Sequence, residues 1–80
     1  MKLRIERPHV EAMINAFPRL AGISEQLRFG NSAELAFSQL QDEEVTFLRE
    51  LYAAGDTDQR ARAAQIHTLQ DAMNDGGERY

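Results

Sequence analysis

The spacing of hydrophobic residues changes from a strand period to a helical period near the start of the chain. Residues 2–6 (KLRIE) alternate polar and apolar, which is typical of a short, half-buried strand. After Pro8 the apolar residues recur at i, i+3, i+4 and i+7, namely Val10, Met13, Ile14 and Phe17. We therefore predict a strand over residues 2–6 and an amphipathic helix over residues 8–17, which Pro18 ends.

The segment that follows supports two interpretations. In the first, Ser24 caps a short helix over residues 25–29. Asn31 and Glu34 then resemble a capping box, which opens another helix over residues 32–40.

The alternative interpretation of this segment is a small antiparallel sheet. Residues 26–29 and 34–38 both alternate with period two, and they could pair with residues 2–6. We favour the helix over residues 32–40, because Ser-Ala-Glu-Leu-Ala has a higher helical than strand propensity.

The strongest helix signal in the sequence begins at the acidic residues 42–44. Carboxylates stabilise the first turn of a helix because they lie near the positive end of its dipole. The apolar residues of this helix cover more than half of its circumference, and they are Val45, Phe47, Leu48, Leu51, Tyr52 and Ala54. We expect it to be the central helix, with Leu48 and Leu51 in the core. Gly55 is expected to end it as a left-handed C-cap.

A last helix is predicted to start at the capping residues 56–58 and to run to about Asn74. Its apolar residues form only a narrow seam, made of Ala63, Ile66, Leu69 and Met73. Residues 76–80 are expected to be a frayed tail.

These elements predict a mainly α fold, a compact bundle of three to four short helices with a short N-terminal strand. The alternative is an α+β fold whose small antiparallel sheet comes from residues 2–6, 26–29 and 34–38. The length of 80 residues fits one small domain, residues 1–80.

Composition excludes several kinds of protein. The chain has no cysteine, which excludes disulfides, thiolate nucleophiles and cysteine-based zinc sites. Its apolar runs are too short for a membrane span, and the charges among the first twenty residues do not fit a secretory signal. We therefore expect a cytoplasmic protein, in the host cytoplasm if a phage encodes it.

No group of residues in the sequence has the spacing of a catalytic or metal site. The histidines are His9 and His67. His67 shares a helical face with one further metal-ligating residue, Asp71, and a protein-only metal site usually needs more ligands. No serine lies beside a base at a readable spacing. We expect no enzymatic activity, no metal and no cofactor.

One arrangement resembles a nucleic-acid-binding motif. The central helix, a short turn and a helix that carries Arg60 and Arg62 have the outline of a helix-turn-helix. The net charge of -4 and the neighbouring Asp56 and Asp58 would repel phosphates. Nucleic acid is therefore an unlikely partner, and a DNA-binding regulator is kept as the alternative.

Protein binding is the function that these exclusions favour. Two groups of residues are candidates for contact, an acidic set and part of the apolar seam: Asp42, Glu43, Glu44, Asp56, Asp58, Ile66, Leu69 and Met73. The acidic set predicts a protein partner with a basic surface, while the seam would suit a homodimer or another assembly. We expect an inhibitor or adaptor directed at a host nucleic-acid-processing system, of the kind that phages and other mobile elements encode.

Overall fold

The computed structural model describes residues 2–77, with side chains described up to residue 73. These residues form two strands and four α-helices: β1 (Lys2–Ile5), α1 (Arg7–Ala16), α2 (Glu25–Arg28), β2 (Ala33–Ala36), α3 (Asp42–Ala53) and α4 (Thr57–Gly77). The predicted mainly helical fold with an N-terminal strand is thus confirmed. No helix in this part of the chain is long and apolar enough to cross a membrane.

The chain divides into two units, residues 1–48 and 49–80, and α3 contributes to both. The first unit contains the sheet, α1, α2 and two 3₁₀ segments, Pro18–Gly22 and Phe37–Gln39. The second contains the end of α3 and all of α4. That the whole chain is one domain stays a prediction.

The sheet corrects the helix that we favoured over residues 32–40. β1 and β2 are antiparallel, with Leu3 opposite Leu35 and Ile5 opposite Ala33, and all four side chains are buried. Pairing gives β1 the hydrogen-bond partner that an isolated strand lacks, and this outweighs the helical propensity of the segment. The sheet alternative was right about residues 34–36 and wrong about residues 26–29, most of which belong to α2.

The core of the first unit confirms part of the apolar stripe predicted for α1. Val10 and Met13 are fully buried, as the helical spacing predicts. Ile14 and Phe17 are half-buried, and the Phe17 ring packs edge-on against Phe47 with centroids 5.5 Å apart. The other buried apolar side chains of this unit, beyond those of the sheet, are Leu20, Leu27, Leu40, Val45 and Leu48.

A left-handed glycine occurs at the end of α2 and not at the end of α3. Gly30 has φ +76°, its N–H donates to the Leu27 carbonyl, and the Asn31 N–H donates to the Gln26 carbonyl. These two bonds form a Schellman motif, which closes α2 with Phe29 at the C-cap.

Gly55 does not have the predicted left-handed conformation, since Gly30 is the one described residue with positive φ. The preference for glycine at this position is explained by crowding and not by the backbone conformation. A Cβ at Gly55 would lie 2.9 Å from the Cβ of Gln59 and closer still to the Gln59 amide. The turn between α3 and α4 therefore requires a close approach and not a special φ.

The second unit is organised around one face of α4. Asp56 caps the helix, because its Oδ1 accepts from the Gln59 N–H at 3.0 Å, as predicted. Among the side chains described for this helix, Ala63, Ile66 and Gln70 are the buried ones. The helix continues through residues 74–77, beyond its predicted end. The rest of the predicted tail, residues 78–80, lies outside the described residues.

Candidate protein-binding groove

The first unit has an open groove of about 390 Å³ between α1 and the C-terminal end of α2. The α1 side is lined by Arg7, Val10, Glu11, Ile14 and Asn15. The opposite side is lined by Leu27, Arg28, Phe29 and Gly30. The volume lies within the range of ligand-binding clefts, at its lower end. Helical spacing on α1 and the turn after α2 thus bring apolar, aromatic and basic side chains to one place.

Phe29 is the most exposed large apolar side chain among the described residues, with 66% of its surface accessible. Its position follows from the backbone, because the Schellman motif places it at the C-cap, after the buried Leu27. The Arg28 guanidinium lies over its ring at 5.3 Å from the centroid, within the range of a cation–π contact. The aromatic ring and the cation therefore form one exposed element at the edge of the groove.

The arginines of the groove differ from the other two in the first unit. Arg4 contacts Glu34 across the sheet at 3.9 Å, and Arg19 is paired with Glu44. Arg7 and Arg28 have no carboxylate partner within the described part of the chain. Both cations are exposed and can bind a negatively charged group of another molecule.

The predicted acidic site at the start of α3 is only partly at the surface. Asp42 and Glu43 are exposed, whereas Glu44 is fully buried, so Glu44 is not accessible as the contact residue that we predicted. The reason is structural. Glu44 Oε1 accepts from the Gln41 N–H at 2.7 Å, which places the carboxylate back over the first turn, where Arg19 binds it.

The remaining predicted contact residues belong to the second unit. Asp56 and Asp58 are exposed, and so are Arg60 and Arg62 of the alternative nucleic-acid-binding site. The four seam residues differ in exposure: Ala63 and Ile66 are buried, Leu69 is half-buried and Met73 is 59% exposed. Of the seam, Met73 therefore offers the most accessible apolar surface.

His67 takes part in a short chain of polar contacts. Arg49 Nη1 lies 2.9 Å from His67 Nδ1 and donates to Gln70 Oε1 at 2.7 Å, while His67 Nε2 lies 3.3 Å from Asp71 Oδ2. Because a guanidinium can only donate, Nδ1 is the acceptor and the proton of a neutral ring lies on Nε2. Both ring nitrogens are therefore engaged. No group of three or more metal-ligating side chains occurs among the residues that the structure describes.

No protein-family model, curated protein or solved structure matches this chain. The groove residues were absent from our sequence-based candidates. The available signal was Phe29 itself, a large apolar residue placed directly before the Gly30 break and outside the predicted apolar face of any helix.

Proposed function

We propose that the protein is a non-enzymatic, cytoplasmic interaction module that binds a partner protein through the groove between α1 and α2. The observation that carries this proposal is the 66% exposure of Phe29 at the edge of a groove whose walls include the apolar residues Val10, Ile14 and Leu27. Aromatic side chains, phenylalanine included, and arginine are enriched at the cores of protein interfaces relative to the rest of the surface. Phe29, Arg28 and Arg7 supply both kinds on one surface.

The exposed acids Asp42 and Glu43 have a secondary role in this proposal. Single charges at the edge of an interface mainly change the rate of association and its salt dependence. These two carboxylates would attract a basic area of the partner and so speed association. The groove would provide the contact that holds the partner in place. The biological role that we propose is that of an inhibitor or adaptor acting on a nucleic-acid-processing system.

Site-specific photo-crosslinking tests the proposed function. A photoreactive benzoylphenylalanine replaces Phe29 in one protein and Met73 in another, because these are the two exposed large apolar residues described. Each protein is irradiated in a bacterial lysate, once with and once without nuclease treatment, and the products are identified by mass spectrometry. We expect a defined protein adduct from position 29 and not from position 73.

A control variant makes this experiment specific for the groove. Arg7→Glu lies on the opposite wall and should reduce the adduct from position 29 without unfolding the exposed start of α1. Adducts of equal yield from both positions would indicate unspecific apolar capture and contradict the proposal. An adduct that disappears with nuclease would contradict it in favour of nucleic acid.

A further inference from the structure

We infer that the groove binds a peptide segment of the partner that presents an apolar side chain next to carboxylates. This inference rests on the proposed function and specifies the chemistry of the partner. It follows from three properties of the groove: its accessible apolar surface, its two arginines without carboxylate partners among the described residues, and its local charge.

The apolar part of the segment is determined by Phe29 and Ile14. Phe29 is exposed and Ile14 is half-buried, and both line the groove. Covering these side chains removes apolar surface from water, which is the main favourable contribution to most protein associations. With a volume of about 390 Å³, the groove accommodates side chains from a short segment and not a folded domain.

The acidic part of the segment is determined by Arg7 and Arg28. A guanidinium binds a carboxylate through two parallel hydrogen bonds, and these two have no such partner within the described residues. The titratable lining residues are Arg7, Arg28 and Glu11, which leave the groove positive while the whole chain carries -4. The groove is therefore a basic site on an acidic protein, and its charge is complementary to a carboxylate.

A nucleic acid fits the groove less well than an acidic peptide. An arginine over an aromatic ring can stack on a base, but such sites lie in positive channels that follow several phosphates. Here Glu11 stands in the groove and the chain as a whole repels a polyanion. A peptide needs only one or two well-placed carboxylates, which the two arginines can bind.

Three matched peptides test this inference by ¹⁵N-resolved NMR titration. Each is a capped heptapeptide in which leucine alternates with glutamate, with glutamine or with lysine. We expect the glutamate peptide to shift the amides of Ile14, Asn15 and Phe29 and to bind about fivefold to tenfold more tightly than the glutamine peptide, with the lysine peptide weakest. Added salt should reduce this difference.

Variants assign the charge preference to the two arginines. The double variant Arg7→Gln/Arg28→Gln should lose the preference for glutamate over glutamine, whereas Arg60→Gln on α4 should keep it. Equal binding of the glutamate and glutamine peptides by the parent would overturn the acidic part of the inference. So would tighter binding of oligo(dT) at the same amides.

The outcome also separates this inference from the proposed function. If a protein adduct forms at position 29 but none of the three peptides binds, the groove binds a partner of different chemistry and the inference alone is wrong. If these amides shift with protein concentration in the absence of peptide, the occupant is a second copy of the chain, and the inference is overturned.

Discussion

The Arg19 guanidinium binds the fully buried carboxylate of Glu44 at the first turn of α3. Arg19 Nε donates to Glu44 Oε2 at 2.7 Å, and Nη2 donates both to Glu44 Oε1 and, at 3.0 Å, to the Gln39 carbonyl. The hydrogen bond to Glu44 raises the pKa of Arg19 above its ordinary value, so the guanidinium keeps its positive charge at every pH below that ordinary value. One side chain thus connects the 3₁₀ segment Pro18–Gly22, the Phe37–Gln39 segment and α3.

This ion pair predicts an asymmetric response to mutation. Arg19→Met should lower the free energy of unfolding, because it leaves a buried carboxylate without its cation. Adding Glu44→Gln to that variant should restore part of the loss, because the neutral amide still accepts from the Gln41 N–H. Urea denaturation of the single and double variants measures both effects.

Arg4→Met is the matched control for this cycle. Its ion pair with Glu34 is 3.9 Å long and about half exposed on both sides, so the change should cost only about 0 to 1 kcal/mol. A double variant that is less stable than Arg19→Met alone would show that Glu44 does not need its cation.

The core of α3 gives a second prediction. Leu48 is fully buried, whereas Leu51 is only half-buried, although the sequence pattern assigns both to the core. Leu48→Ala should therefore lower the free energy of unfolding by about 2 to 5 kcal/mol, and Leu51→Ala by less. Thermal melts compare the two variants directly. If Leu51→Ala had the lower Tm, Leu48 would not be the larger contributor to the stability of the core.

The sequence predicts helices more reliably than it predicts which polar residues are buried. The spacing of apolar residues predicted α1, α3 and α4 correctly, because each of these helices buries one face and its apolar residues therefore recur with the helical period. The helix expected over residues 32–40 failed because β2 is stabilised by β1, about thirty residues earlier, which no local propensity contains. Glu44 could not be distinguished from Asp42 and Glu43, since its burial depends on the distant Arg19.

The candidate groove was missed for a related reason. Its walls come from α1 and α2, and neither helix alone contains a motif. Ile14 was predicted as part of a buried stripe, and Phe29 as part of an uncertain segment. Only their proximity in the fold makes them one surface with Arg7 and Arg28.

Gly30 gives a third prediction, about the turn that positions Phe29. Gly30→Ala should lower the free energy of unfolding by about 1 kcal/mol, because φ +76° is unfavourable for a side chain although nothing lies within 4 Å of the new Cβ. Gly30→Asn should cost less, since asparagine tolerates this conformation better.

Gly22 is the control for this prediction. A Cβ added at Gly22 would also enter open space, but the φ of Gly22 is not positive, so Gly22→Ala should be neutral or slightly stabilising. Chemical denaturation of the three variants tests the order. Equal stability of Gly30→Ala and Gly22→Ala would contradict the Schellman assignment.

The last prediction compares protein binding with DNA binding. The helix-turn-helix alternative can be tested directly. A three-residue turn, 54–56, connects α3 to α4, and Arg60 and Arg62 on α4 are exposed. If the protein reads DNA, Arg60→Ala/Arg62→Ala should abolish binding to duplex DNA and reduce its salt dependence. If it binds a protein, this variant should keep the adduct from position 29.

Charge reversal at the start of α3 is the complementary measurement. Asp42→Lys/Glu43→Lys changes each residue by two charges, so the net charge of -4 becomes zero, while the buried Glu44 stays in place. A DNA-binding protein should then bind duplex DNA more tightly, because the repulsion of phosphates falls. A protein-binding module should instead associate more slowly with a basic partner and lose salt dependence, with little change in dissociation. Binding of the parent to DNA that disappears with Arg60 and Arg62 would decide against the groove, because its arginines are unchanged in that variant.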